Sequence, residues 1–396
     1  MRNFISRAST NLIKKQKLIC QICNKNFSNS IKTDIKNYYE VYTELRSDVK
    51  TIPTEKMRRS VLDLNFGDDS AEEDPTMNKL CEKLAELCGK ERALFLPTGT
   101  MANMLGLNLN ASRDDYIIQG ERSHLNKTES DCQIFAGFKR IVSKDIDSPN
   151  KKFDIESIVN KENSSLDPKK IKIIAFENTH NYNGGKILNT DIVDEIIRPR
   201  IKNSSKFKHL KFHLDGSRVL NAAAALKTDL KLLTKNYDTV NICLSKGLGA
   251  PCGSVLLLND KDYQRARQIR HYLGGNMRQN GFLAAPALVA LEDWRERFES
   301  DHYRTRVLAE GLSKIEGLNV IPPETNIINI YPDGTLITNE DLKLIENKLE
   351  KDFNVLVHTM DNQTYLRAVV HHQVGIEKIN HAIDSFEKVV KQFYRK

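Results

Sequence analysis

The spacing of apolar positions along the chain predicts strands alternating with helices. Leu80, Leu84 and Leu87 recur at i, i+4 and i+7 behind Asp74-Pro75-Thr76, and Gly89 follows, so a capped helix is expected from Pro75. A short apolar run, Ala93 to Leu96, leads into Pro97-Thr98-Gly99-Thr100, and a second helical pattern begins at Met101. Ile171–Phe176 (IKIIAF) and Leu210–Leu214 (LKFHL) have the length and residue types of strands. The second of these stops at Asp215-Gly216, and a helix is expected from Ser217 to Leu226. Thr239–Leu244 is a further strand that runs into Ser245-Lys246-Gly247, and Ser254–Leu258 follows a Gly/Pro turn. Beyond Trp294 the pattern changes to longer helices with a few short strands, with helices expected over Glu340–Lys351 and Ile376–Phe393. No internal repeat is visible.

Alternation at this spacing predicts an α/β fold with a mainly parallel sheet covered by helices on both faces. A large domain is expected over residues 39–295 and a smaller α+β domain over 296–396, preceded by an extension over 1–38. In parallel sheets the chemistry collects at the carboxyl ends of the strands. Thr98–Thr100, Asp215 and Lys246 all fall at such ends.

Composition narrows the function classes. With 396 residues, 40% hydrophobic and 28% charged, the chain can bury a sizeable core, and collagen-like, coiled-coil and wholly disordered readings drop out. The longest apolar runs are strand-sized, well short of the ~20 residues a membrane-spanning helix needs, so a soluble protein with no membrane partner is expected. The net charge of +8 does not imply a nucleic-acid partner: residues 1–33 hold seven basic side chains and no acid, which leaves the rest near +1 with no basic stripe. That head reads either as a solvated, disordered tail or as a mitochondrial transit peptide, though it is rich in Lys and Asn. A cytoplasmic location is expected, with the mitochondrial matrix as the alternative. Seven cysteines at irregular spacing fit free thiols in a reducing compartment. Cys20 and Cys23 have no further ligands at matching spacing, so no metal site is expected.

Three features suggest chemistry in combination. Alone, a lysine in a turn is an ordinary surface residue. Lys246, however, follows an apolar strand and precedes a Gly/Pro turn, and Asp215 ends another strand 31 residues upstream, one strand-helix-strand unit away. A desolvated lysine can attack an aldehyde, and an aspartate can keep a pyridine nitrogen protonated, which is the pattern of a pyridoxal 5'-phosphate site. Thr98-Gly99-Thr100 at the start of a helix adds hydroxyls and free N–H groups suited to a phosphate.

The strings LSKGLGAPCGSVL, HLDGSR, LGGNMRQ and ENTHN, with the segments 44–54, 67–76, 93–103 and 366–371, carry a resemblance to the low-specificity L-threonine aldolases. It runs from about residue 44 to the C-terminus. These are aspartate-aminotransferase-like (fold type I) pyridoxal-phosphate enzymes, and the resemblance implies retro-aldol cleavage of L-threonine or L-allo-threonine to glycine and acetaldehyde. By position it assigns Lys246 to the covalent cofactor link and Asp215 to the ring nitrogen. His124 is assigned to stacking on the ring and to proton transfer. Gly99 and Thr100 fall on the phosphate loop. Ser245, Arg218 and Arg278 lie in motifs near the cofactor. Arg367 and Ser47 are implied to hold the substrate carboxylate. A homotetramer, a dimer of dimers, is implied as well.

The chain also departs from that pattern. Where the family commonly reads D-D-V-Y-G-E-D-P-T, this sequence has Asp68-Asp-Ser-Ala-Glu-Glu-Asp-Pro-Thr76, with Ala71 for the tyrosine and Glu72 for the glycine. Thr128 stands where another tyrosine is frequent, and a histidine common just before the Ile171 strand is missing. These differences leave open a related pyridoxal-phosphate enzyme acting on another β-hydroxy or β-substituted amino acid, or a catalytically silent paralogue.

Overall fold

A computed structural model describes residues 35–147, 154–162, 165–188, 193 and 197–394. The readings of the basic head and of Cys20 and Cys23 lie outside the described residues. The chain divides into two compact units, 1–43 and 44–396. In the first, Ile35–Val41 is helical.

The second unit holds two sheets. The larger has seven strands: β1 (Arg92–Leu96), β2 (Tyr116–Gly120), β3 (Lys139–Ser143), β4 (Ile171–Glu177), β5 (Lys211–Asp215), β6 (Thr239–Cys243) and β7 (Ser254–Leu258). Their spatial order is β1-β7-β6-β5-β4-β2-β3. The five strands from β3 to β6 are parallel, while β7 runs antiparallel to both β1 and β6. The central strands are buried on both faces and accordingly read as runs of Ile, Val, Leu and Phe. β2 and β3 escape the sequence pattern because β3, KRIVS, is a polar edge strand and β2, YIIQG, has only two consecutive aliphatic residues before Gln119.

Helix α1 (Pro75–Cys88) follows the expected signals. Asp74 Oδ1 accepts from the amides of Thr76 and Met77 at 3.1 and 3.0 Å, Pro75 occupies the first turn, and Gly89 closes the helix at φ 61°. Its buried stripe is Met77, Leu80, Leu84 and Cys88. Helix α2 (Gly99–Asn108) begins two residues before the expected Met101, because Thr98 Oγ1 caps it by accepting from Met101 N at 3.1 Å. Helix α3 (His124–Lys127) is a single turn capped by Ser123. Helix α4 (Val219–Leu226) starts two residues later than Ser217. Asp215 Oδ1 accepts from both the amide and the hydroxyl of Ser217, at 3.2 and 2.6 Å, which holds that residue in a turn.

The smaller sheet is antiparallel: β8 (Leu318–Val320), β9 (Ile327–Pro332), β10 (His358–Met360) and β11 (Tyr365–Val369), in the order β10-β11-β9-β8. Helices α5 (Trp294–Leu312), α6 (Asn339–Phe353) and α7 (Ile376–Val390) pack on it around Leu308, Leu312, Ile328, Ile345, Leu366 and Phe386. Among the described residues no helix is long and apolar enough to cross a membrane.

Candidate active site

The parallel strands deliver polar side chains to one end of the large sheet. Glu177 ends β4 opposite Asp215, which ends β5, and Asp215 pairs in register with Asn241 of β6. His124 stands four residues past the end of β2, and Lys246 three past the end of β6. A cleft of about 260 Å³ opens here, lined by Ser47, His124, Glu177, Asn181, Tyr182, Asp215, Arg218, Lys246, Met360 and Arg367 among others. The structure thus brings together six of the expected residues: Ser47, His124, Asp215, Arg218, Lys246 and Arg367.

Asp215 is 1% exposed, and both of its carboxylate oxygens accept hydrogen bonds, with Oδ2 holding a single one. Besides the Ser217 contacts, Oδ2 accepts from Asn103 Nδ2 at 3.1 Å and Oδ1 from Asn241 Nδ2 at 3.3 Å. Burial pushes its acidity the wrong way, but the charges of His124 and Lys246 and the Ser217 hydroxyl overcome this and hold the group below the ordinary carboxylate range. Asp215 is therefore an anion at neutral pH. Behind it, Asn103 Oδ1 accepts from Asn241 Nδ2 at 3.0 Å and meets His213 Nε2 at 3.2 Å. Burial drives His213 down to about 4, so that ring is neutral.

Lys246 is fixed through its backbone: its carbonyl accepts from Thr51 Oγ1 at 2.7 Å and from Gly249 N at 2.8 Å. Among the described residues its amine has no hydrogen bond or ion pair. Gly99 lies against the end of β6, where a Cβ would meet Cys243 Sγ at 3.1 Å and Asn241 Nδ2 at 3.6 Å. That close approach sets the amino end of α2, with Gly99 and Thr100, beside the Asn241–Asp215 network.

Two arginines form the opposite wall. Arg218 holds Asp48 through two parallel bonds, and its Nη1 donates to Asn181 Oδ1 at 3.0 Å. Arg367 shares that acceptor, donating from Nη1 at 3.2 Å, and its Nη2 donates to Arg46 O at 3.1 Å. The buried Arg367 Nε has no partner among the described residues. Arg367 as a residue lines the cleft, and a planar guanidinium on a cleft wall suits a carboxylate. Ser47, which caps the turn Asp48–Lys50, lies on the same wall.

Arg278 is placed elsewhere. It is 68% exposed and donates to Asp68 Oδ2 and Ser70 Oγ at 2.6 and 2.7 Å. Gly99, Thr100 and Ser245 are not among the residues lining the cleft. Ala71 and Glu72 are also outside it: Ala71 is exposed, and Glu72 accepts from Arg92, Tyr263 and Arg267 at 3.1, 2.8 and 2.7 Å. Asp48, Asn103, Glu129, Glu177, Asn181 and Asn241 were not singled out from the sequence. Asp48 lies in the quoted segment 44–54, Asn103 ends the quoted segment 93–103, and Glu177 and Asn181 fall in the string ENTHN, so their signal was present; Asn241 is an isolated amide inside an apolar strand and carried none.

Residues 44–334 match the family model described as beta-eliminating lyase. The chain is 38% identical over 354 residues to "Probable low-specificity L-threonine aldolase 2" of Arabidopsis thaliana, covering 87% of this chain and 96% of that one. The chain belongs to the low-specificity L-threonine aldolase family. Another family member, the low specificity L-threonine aldolase of Escherichia coli K12, is 33% identical, with 85% of this chain and 96% of that one covered. The family's fold is seen in the solved threonine aldolase of Leishmania major, which superposes with a TM-score of 0.71 at 19% identity, covering 87% of this chain and 98% of that one. The aspartate-aminotransferase-like, fold type I architecture expected from the sequence is the one this family member has.

Proposed function

We propose that this chain is a pyridoxal 5'-phosphate-dependent aldehyde-lyase that cleaves L-threonine and L-allo-threonine to glycine and acetaldehyde. The observation that carries the reading is the meeting of an amine, Lys246, a buried ionised carboxylate, Asp215, and an unsatisfied guanidinium, Arg367, in one cleft. The donor set fits the cofactor: Lys246 for its aldehyde, Asp215 for a protonated ring nitrogen, and the amino end of α2 for its phosphate. Bound there, pyridoxal phosphate supplies an electron-poor ring that accepts the electron pair of the breaking Cα–Cβ bond.

The chain's own residues supply orientation. Arg367 and Ser47 hold the substrate carboxylate, which decides which of the bonds at Cα is presented for cleavage. Asn181 fixes Arg367 by accepting its Nη1 hydrogen while Arg218 pulls the same amide from the other side. Tyr182 and Met360 also line the cleft and offer carbon surface to the β-substituent. The names of the relatives support the substrate class. The reading carries with it a homotetramer and a cytoplasmic location, with the mitochondrial matrix as the alternative.

The test is an aldehyde-release assay on purified protein with both threonine diastereomers, paired with borohydride reduction and peptide mapping. Acetaldehyde and glycine in equal amounts, with the cofactor mass on the peptide bearing Lys246, are expected. Lys246→Ala should lose both. No aldehyde from either diastereomer would overturn the reading.

A further inference from the structure

Both ring nitrogens of His124 are addressed by acceptors. Thr128 Oγ1 lies 2.9 Å from His124 Nδ1 and 2.7 Å from the His124 carbonyl oxygen. Two oxygens that close repel unless a hydrogen lies between them, so the single hydroxyl hydrogen goes to the carbonyl. Oγ1 is left to accept, and Nδ1 must donate. On the other side, Nε2 lies 3.4 Å from Glu129 Oε1. Glu129 is 2% exposed, and its Oε2 accepts from Asn103 Nδ2 at 3.2 Å, so the carboxylate is tied at its far oxygen and stays aimed at the ring. An ionised carboxylate only accepts, which calls for a hydrogen on Nε2 as well.

We infer that Thr128 and Glu129 are positioning residues that hold His124 as an imidazolium, a fixed cation in the cleft and not the acceptor of the substrate's hydroxyl proton. The consequence for catalysis rests on the function proposed above; the charge state does not. The other charged groups facing His124 are Asp215 at the end of β5, Glu177 at the end of β4, whose Oε2 accepts from the His124 amide at 2.7 Å, and Lys246. Burial opposes a charged ring here, but the Glu129 carboxylate and the Asp215 charge outweigh it and the opposing Lys246, leaving His124 above the ordinary imidazole range. A ring with a hydrogen on each nitrogen has no lone pair to offer. It meets the β-hydroxyl of a bound substrate as a donor or as a flat cationic surface.

The test is nitrogen NMR of histidine-labelled holoenzyme without substrate, with His124→Asn assigning the signal. An imidazolium gives two nearly coincident ring-nitrogen shifts, whereas a neutral ring gives a widely split pair. At pH 7 the coincident pair is expected, and Thr128→Val should lower the proton affinity of His124 at least tenfold while Thr128→Ser restores it. Thr128 is exposed, so these variants keep the fold even if Glu129→Gln does not. A split pair at pH 7 in the unaltered enzyme, or an unmoved titration in Thr128→Val, overturns the inference. A coincident pair in protein that releases no aldehyde would sink the proposed function alone.

Discussion

Arg218 and Asp48 form a two-pronged ion pair inside the protein, Nε to Oδ2 at 2.8 Å and Nη2 to Oδ1 at 2.7 Å. Asp48 comes from the leading segment and Arg218 from the turn after β5, so this contact ties the Ser47 wall of the cleft to the Asp215 wall. Burial alone would raise Asp48, but the Arg218 charge and hydrogen bonds, with Lys246 and His371, hold it at about 2.

Breaking that pair on one side strands a buried charge. Asp48→Asn is expected to cost about 3–5 kcal/mol in denaturant unfolding, and Asp48→Leu combined with Arg218→Met to recover most of it. The sign of the pH effect follows from the depressed acidity. The pair's stabilisation is complete above the unfolded value near 4 and is lost as pH falls toward 2, so acid should destabilise the unaltered protein more than Asp48→Asn. Unfolding curves at pH 5 and pH 2.5 check this.

Arg367→Lys replaces a planar fork by a point charge where Asn181, Arg46 and the substrate carboxylate all need a hydrogen. A loss of about 1.5–3 kcal/mol, roughly ten- to a hundredfold in kcat/KM, is expected, mostly as a raised KM. Steady-state kinetics with L-threonine measure it. A kcat loss at unchanged KM would contradict the assignment of Arg367 to carboxylate binding.

Asn103 joins Asp215, Glu129, Asn241 and His213 through one amide group. Asn103→Ala leaves buried groups unmet and should cost about 1–3 kcal/mol of stability for each one that finds no water. Asn103→Asp sets a further carboxylate beside Asp215 and Glu129, and its destabilisation should grow as pH rises from 5 to 8. Thermal melts across that range distinguish the two variants.

Glu72 adopts φ 62°, a left-handed conformation that suits glycine, and offsets it with Arg92, Arg267 and Tyr263. These half-exposed contacts are individually worth little, so Glu72→Gly should change stability by no more than about 1 kcal/mol in either direction. Because Glu72 does not line the cleft, aldehyde release should be unaltered. Reduced turnover in a fully folded Glu72→Gly protein would show that this loop acts on the reaction.

The large sheet was legible where burial on both faces wrote apolar runs, as at Ile173–Phe176 and Val255–Leu258. It was not legible at Lys139–Ser143, where a polar edge strand hides its period. Strand direction was also hidden: Ser254–Leu258 reads like its neighbours, and only the short turn from β6 makes it antiparallel. Helix starts moved by two residues at Gly99 and Val219, where hydrogen bonds accepted by the Thr98 and Asp215 side chains decide the boundary. Around the cleft, charged residues in distinctive strings were readable, whereas Asn241, an amide inside an apolar strand, acts only through contacts that the fold creates. Arg278 shows the reverse case, a residue in a family string that the fold places on Asp68 and Ser70 and not among the cleft-lining side chains.

The reversal between β6 and β7 has a mechanical consequence for Lys246. Leu244 N bonds Gly253 O at 3.0 Å and Ala250 N bonds Leu244 O at 3.1 Å, so the loop that carries the lysine is cinched at its base, while Thr51 pins the lysine carbonyl from outside. Little slack remains in the main chain. Whatever travel the amine needs, to release a partner and take it back once per turnover, must come from rotation about the four carbons of its own stem, with the peptide beneath it acting as a stationary pivot.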